Sequence, residues 1–368
     1  MQTKKQKVAL GMSGGVDSSL CAHLLVEQGY DVTGVYLECW RAPGCRTEED
    51  RKDALKVALE LSIPYKVLDF KQQYRDTVVQ YFFDEYQAGR TPNPDVLCNK
   101  EIKFGLFYDW AMEQGFDFVA TGHYAAISEI DDRMYLHVPK DEHKDQTYFL
   151  YLLKEKQLKH TLFPLAGIEK KNVRSEAQKR SVHVADKKDS VGICFIGDVN
   201  AKDLLKDELG TNPGDVVDTK GNVIGSHQGL WFYTVGQRHG FEIDKTTEIR
   251  QEDGTLVAKT NIPPFYVIHK DAKKNQLVVG FGQQAFFESF AIEEPHWITA
   301  QPENKKVVVR VRHTGQLLPA TLEQTNVEGS QWQVKLDTPA KGIASGQSAV
   351  FYQEINGKTV CLGGAVIG

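Results

Sequence analysis

The chain has 368 residues, 41% of them hydrophobic and 25% charged, and its 44 Lys and Arg against 49 Asp and Glu leave a net charge of −5. This is globular composition with apolar mass for two or three domains, and the charge excludes a protein that holds nucleic acid through an overall basic surface. No apolar run approaches the roughly 18 residues of a membrane span, the basic start MQTKKQK leads into a strand pattern without an apolar h-region, and six cysteines are too few for a disulfide framework, so a cytoplasmic protein is expected.

Taken in chain order, KVALGM reads as a short strand and SSLCAHLLVEQG as an amphipathic helix stopped by Gly29. DVTGVYLEC is a second strand, EEDRKDALKVALELS a second helix, PYKVLDF a third strand, FDFVATGHY a fourth and SVHVADK a fifth. Strands alternating with helices predict an α/β domain with a doubly wound, mostly parallel sheet over 1–205. Beyond it, GDVVDTKGNVIGSHQG, FYVIHKD and NQLVVGF are short alternating strands divided by turn residues, predicting a small β-rich domain over 206–282. KVVVRVRH, QWQVKLD and SAVFYQEINGKTVCLGG continue that texture and predict a C-terminal β-barrel over 283–368.

The join between the first strand and first helix reads GMSGGVDSS, Gly11 to Ser19. Gly14 and Gly15 allow close approach of the main chain to a ligand, and the helix N-terminus adds unpaired N–H groups and a partial positive charge. Ser13, Ser18 and Ser19 supply hydroxyls, and the ligand this favours is phosphate. No lysine follows, so the loop is not of the G-x-x-x-x-G-K-[ST] type, and it lacks G-x-G-x-x-G spacing. Asp17 is open to two readings, a magnesium partner or a cap of the helix. Further on, GRTPNPDVLCNKEIKFG is proline-broken until Cys98, which the pattern places near a helix N-terminus, exposed, with Lys100 and Lys103 nearby to favour the thiolate. Asp95, three residues earlier, is a candidate general acid or base. Cys194 in KKDSVGICFIGD reads by itself as filler of a buried strand. Cys39 and Cys45 lack C-x-x-C spacing, Cys21 and Cys361 read as apolar filler, and no metal site is expected.

Ser13-Gly14-Gly15-Val16-Asp17-Ser18 resembles the S-G-G-x-D-S loop of the ATP pyrophosphatase family, whose members activate an oxygen by adenylation. With TPNPDVLCN, ATGHY, KDQTYFL, GICFIG, YTVGQRHG and GQSAVFY in order, the chain resembles the tRNA-specific 2-thiouridylases along essentially its whole length. That resemblance implies ATP and Mg2+ as cofactors, tRNA as substrate, and a persulfide donor protein (a cysteine desulfurase or sulfur relay carrier) as partner. It implies 2-thiolation of the wobble uridine, by adenylation of the C2 oxygen and sulfur transfer from a persulfide, with release of AMP and pyrophosphate. Cys98 falls on the family's nucleophile and Cys194 on its persulfide carrier, and a transient Cys98–Cys194 disulfide follows from those roles. Gly11, Met12 and the loop fall on its ATP contacts, with Leu37 and Gly122 on the adenine side. Asn93, Pro94, Asp95, His123, Lys144, Asp145, Gln146, Arg310, Val311 and Gln347 fall where the family touches tRNA. Two residues depart from its pattern: Leu37 stands where methionine is common, and Ala126 where arginine is. An iron–sulfur thiolase using Cys98, Cys194 and Asp95, and a catalytically inactive tRNA-binding module, are the alternatives.

For RNA, residues 140–188 hold 12 Lys and Arg against 7 Asp and Glu, a local excess of +5 in an acidic chain. Arg310 and Arg312 alternate onto one face of a predicted strand, as a backbone clamp would. Tyr148, Phe149 and Tyr151 fit either base stacking or core packing.

Overall fold

The computed structural model describes residues 5–41, 46–188, 200–244, 248–250, 256–258, 264–325 and 331–368. A five-stranded parallel sheet forms first, from β1 (Lys7–Gly11), β2 (Asp31–Glu38), β3 (Tyr65–Asp69), β4 (Phe118–Ala120) and β7 (Thr161–Leu162), in the order β3-β2-β1-β4-β7. Strand β1 is apolar without alternation because both its faces are covered. Val8 and Leu10 join a core with α1 (Val16–Glu27), α2 (Thr47–Glu60) and later helical residues, whereas Ala9 joins an opposite core containing Val35, Leu37, Cys98 and Phe107. Helix α1 is correspondingly buried on several sides, with Ser18 and Ser19 inside as well as Leu20 and Leu25, so the amphipathic expectation is corrected.

Helices α3 (Lys71–Tyr74) and α4 (Gln80–Gln87) are joined by a π-helical stretch at Arg75–Val79. A second π-helical stretch, Asn99–Leu106, runs between α5 (Pro94–Cys98) and α6 (Phe107–Glu113). After β7 and the short α7 (Glu155–Leu158), α8 (Lys170–Lys179) packs against α1. The segment SVHVADK, expected as a strand, is a chain of turns in which Ala185 N donates to Val182 O and Lys187 N to Val184 O. Its Val182, Val184 and Ala185 are buried with Val173 and Ala177 of α8, so its apolar spacing reports packing under a turn rather than a sheet.

After α9 (Ala201–Leu209), a small sheet forms from β8 (Gly214–Val217), β9 (Val223–His227), β10 (Glu242–Ile243), β13 (Tyr266–Asp271) and β14 (Gln276–Gly280), with a separate ribbon of β11 (Glu248–Arg250) and β12 (Leu256–Ala258). The last sheet comprises β15 (Phe286–Ile292), β16 (His296–Trp297), β17 (Lys306–Arg310), β18 (Leu318–Gln324), β19 (Trp332–Lys341), β20 (Ser348–Ile355) and β21 (Lys358–Val366). A hairpin from the first half, β5 (Ala126–Ile130) and β6 (Arg133–His137), extends this sheet, with Leu136 opposite Cys361 and His137 opposite Val360. The α/β half and the barrel are therefore welded by strand pairing, and Ala126 on β5 is buried.

Candidate active site

In the order β3-β2-β1-β4-β7 the strands all run parallel, but their sequence order reverses between β1 and β4, and a doubly wound sheet opens its ligand crevice at such a point. The loop Met12–Gly15 leaves β1 there, and Thr121, Gly122 and His123 leave β4 beside it. A cavity of about 240 Å³ lies between them, with Met12, Ser13, Leu37, Gly122, His123 and Gln146 on its walls and Gly11, Tyr36, Lys103 and Asp17 completing it. A second cavity of about 290 Å³ shares Ser13, Asp17 and Gln146 and adds Gly15, Val16 and Tyr124. Lys144, Lys170, Lys188 and His313 also line it, so the two chambers divide into a mostly apolar one and a cationic one, joined at the loop.

The loop's own bonds explain its serines. Ser13 N donates to Ser18 Oγ at 3.1 Å, the two hydroxyls lie 3.1 Å apart, and Ser18 and Ser19 Oγ donate to Gly15 O at 3.2 and 2.9 Å. The helix N-cap is Gly15, which has no side chain to bond the first-turn N–H groups, so that terminus suits an external acceptor. Asp17 is thus not the cap. Its carboxylate receives Lys170 Nζ at 2.8 Å on both oxygens and the Tyr124 hydroxyl at 2.7 Å. Gly14 has φ +75°, and a Cβ there would lie 2.0 Å from Asp50 O. The glycine is needed because the loop presses on α2, not because phosphate needs the space. One glycine does meet the site closely: a Cβ on Gly122 would lie 3.2 Å from Ser18 N.

His123 is buried and lines the mostly apolar chamber. Lys103 Nζ, which only donates, lies 3.3 Å from Nε2, so Nε2 accepts and the proton sits on Nδ1, 2.8 Å from Thr121 Oγ1. Burial, seconded by Lys103, holds the His123 pKa well below the ordinary histidine value, so the ring is neutral at pH 7. His313 reaches the cationic cavity from the barrel; its ring lies tilted against Phe149 at 4.4 Å, its Nδ1 has no partner among the described residues, and burial lowers its pKa.

Cys98 departs from its expected surroundings. Pro94 occupies the first helical position, where a missing N–H costs nothing, so the helix begins before Cys98 and places it at the end of α5. It is 1% exposed and packs in the same core as Leu37, which also lines the apolar cavity. Asn93, Pro94 and Asp95 are half-buried beside it and line neither chamber. The residues just before them are a junction of all three sheets' domains: Gln347 Nε2 donates to Thr91 O and Pro92 O at 3.0 and 3.2 Å, Thr91 N to Ser345 O at 2.8 Å, and Lys270 Nζ to Arg90 O at 3.4 Å.

Arg310 and Asp145 also differ from expectation. Arg310 Nη1 meets Asp145 Oδ2 at 2.6 Å, with the two residues 9% and 2% exposed, and the guanidinium lies over Tyr352. Strand β17 ends at Arg310, so Arg312 does not share a strand face with it, and Val311 is buried in the barrel core. Tyr148 and Tyr151 are core residues, the former bonded to Ser348 O at 3.0 Å. Cys194 and Cys45 lie outside the described residues. Lys170, Tyr124, Lys188 and His313 are site residues that sequence reasoning missed; only the basic excess of 140–188 pointed toward the two lysines.

A family model described as tRNA methyl transferase HUP domain matches residues 6–198, one described as tRNA methyl transferase PRC-barrel domain matches 202–281, and one described as aminomethyltransferase beta-barrel domain matches 287–367. A curated relative named tRNA-specific 2-thiouridylase MnmA from Listeria innocua is 41% identical over 98% of this chain and 94% of its own length. One of the same name from Proteus mirabilis is 40% identical over 99% and 97%. Among solved structures, a U34-tRNA thiolase, NcsA, from Methanococcus maripaludis is 24% identical over 48% of this chain and 57% of its own, with a TM-score of 0.34. With both curated relatives near 40% identity over almost their full lengths, the chain belongs to the tRNA-specific 2-thiouridylase family.

Proposed function

We propose that the protein is an ATP-dependent tRNA 2-thiouridylase acting on the wobble uridine. The observation that carries this reading is the pair of chambers meeting at the Ser13–Asp17 loop, one apolar enough for a nucleobase and one lined by three lysines for phosphates. The C2 oxygen of uridine is a poor leaving group. Transfer of an adenylyl group from ATP makes it part of a phosphoester and frees pyrophosphate, after which sulfur at C2 displaces AMP.

Leu37 and Gly122 suit the adenine side, the uncapped N-terminus of α1 presents N–H groups to phosphate oxygens, and Lys170, Lys144 and Lys188 offset the charge of triphosphate and RNA. A magnesium ion fits this donor set, since Asp17 is a single carboxylate at the edge of the phosphate chamber and Mg2+ takes one or two carboxylates together with phosphate oxygens. Its chemistry there is neutralisation of charge developing on the phosphates. Asp17 would hold the ion when it is bound, and Lys170, now on both Asp17 oxygens, would then serve the phosphates.

The sulfur step uses Cys194 and Cys98. The outer sulfur of a Cys194 persulfide bonds to C2 as AMP leaves; the Cys98 thiolate attacks the Cys194 sulfur, the S–S bond breaks, and the product keeps sulfur at C2. A Cys98–Cys194 disulfide remains, which a reductant reopens with two electrons and which a persulfide donor protein then reloads at Cys194. Buried Cys98 has to be uncovered for this, and the π-helical stretch that follows it is a backbone form often found at functional sites. In single turnover without reductant, Cys98→Ser and Cys194→Ser are expected to keep tRNA-dependent pyrophosphate release and lose thiolation, and wild type to accumulate the cross-link. Full thiolation by either variant overturns the persulfide step.

A further inference from the structure

Lys187 touches neither chamber, yet it is bonded to the loop between them from behind. Its side chain is 11% exposed, and Nζ donates to Gly14 O at 2.9 Å, Asp50 Oδ1 at 2.7 Å and Asp53 Oδ2 at 2.6 Å. Three acceptors use the whole donor set of an ammonium. The main chain around it is fixed as well, since Arg174 Nη1 donates to Ala185 O at 2.9 Å and Lys187 O at 2.6 Å. Arg174 stands one turn after Lys170 on α8, so a single helix face holds Asp17 with one residue and the backbone of Lys187 with the other.

The peptide between Gly14 and Gly15 is trans, so its C=O and N–H point in opposite directions. Lys187 holds the C=O on the α2 side. The Gly15 N–H therefore points to the other side, toward Ser13 Oγ at 3.4 Å and the lysine-lined cavity. A peptide flanked by two glycines has little intrinsic barrier to reorientation, and reversal would aim a carbonyl dipole at incoming phosphate.

We propose that Lys187 is a positioning residue for phosphate, clamping the Gly14 carbonyl so that the Gly15 N–H and the N-terminus of α1 stay presented to the ligand. Asp50 and Asp53 hold the clamp; burial raises the Asp53 carboxyl, but the Lys187 hydrogen bond and charge, with His183 and Lys56, bring its pKa below the usual range and keep it ionised. The proposal rests on the nucleotide-loop reading above.

The test measures calorimetric affinities of the full chain for ATP, inorganic pyrophosphate and adenosine, in wild type, Lys187→Met and Lys187→Gln. Methionine is expected to weaken ATP and pyrophosphate at least tenfold and leave adenosine within twofold. Glutamine, which keeps an N–H donor for Gly14 O without charge, is expected to fall between the two for pyrophosphate and stay level for adenosine, and it carries the test alone if the methionine variant does not fold. Phosphate affinities equal to wild type in the variants overturn the proposal. So does a parallel loss for adenosine, the mark of a general fold latch, and so does a glutamine variant as weak as methionine, the mark of charge alone. A wild-type protein that binds adenosine and ATP equally and pyrophosphate not at all overturns the loop reading and this proposal together.

Discussion

Replacing Arg310 by methionine separates two roles for that residue. Its guanidinium faces Asp145 across the contact of the α/β half with the barrel, both groups buried. Asp145 Oδ1 is already taken by Thr147 N at 2.9 Å and Thr147 Oγ1 at 2.7 Å, so loss of Arg310 strands a carboxylate with one satisfied oxygen and no countercharge. Removing one partner of such a pair costs about 3–5 kcal/mol, against about 0–1 kcal/mol for an exposed pair. Arg310→Met is expected to lower stability by that larger amount, measured by urea unfolding of the barrel transition. Asp145→Asn added to it is expected to recover a good part, because the amide keeps the Oδ1 bonds to Thr147 and removes the stranded charge. The slope of log affinity for tRNA against log salt should stay unchanged in variants that remain folded. A variant with wild-type stability whose salt slope falls by about one unit would refute the interdomain role and restore a phosphate clamp.

Gly14→Ala forces a left-handed alanine, about 1–2 kcal/mol, and a methyl against Asp50 O, about 1–3 kcal/mol more; calorimetry should show lowered stability together with lost ATP binding, and a variant as stable as wild type contradicts the packing reason for this glycine. For His123, the folded pKa is depressed, so below about pH 6.5 the unfolded chain takes up a proton that the folded ring refuses. Stability should fall as pH drops from 6.5 toward 5, and His123→Gln should flatten that fall by up to about 1.4 kcal/mol per pH unit in denaturant titrations.

Much of the site was legible where chemistry is local in sequence. Strand β1, the glycine-serine loop and α1 are contiguous, so Ser13, Gly15, Val16 and Asp17 could be placed together at a sheet's edge. Lys170 and Lys187 were not, because each meets the loop across 153 and 173 residues and no local pattern encodes such a pairing. Cys98 misled because proline reads as a helix breaker in general but starts a helix at its first position. The valines of SVHVADK alternate as in a strand, yet they pack beneath α8. Pairing of β6 with β21 spans more than 200 residues and was invisible to strand periodicity, although both strands carry it. The family resemblance assigned Arg310 and Gln347 to tRNA contact; that one is buried in an ion pair and the other braces Thr91 and Pro92 is information only the packing holds.

Wobble-uridine thiolation is checked by mass spectrometry of nucleosides from tRNA with an unmodified wobble uridine, after incubation with the protein, ATP, Mg2+ and a persulfide source. The expected product is 2-thiouridine at that position, with one AMP and one pyrophosphate released for each, and none when ATP is omitted. Thiolation that proceeds without ATP, or ATP cleavage that leaves the uridine unchanged in the presence of persulfide, would contradict that expectation.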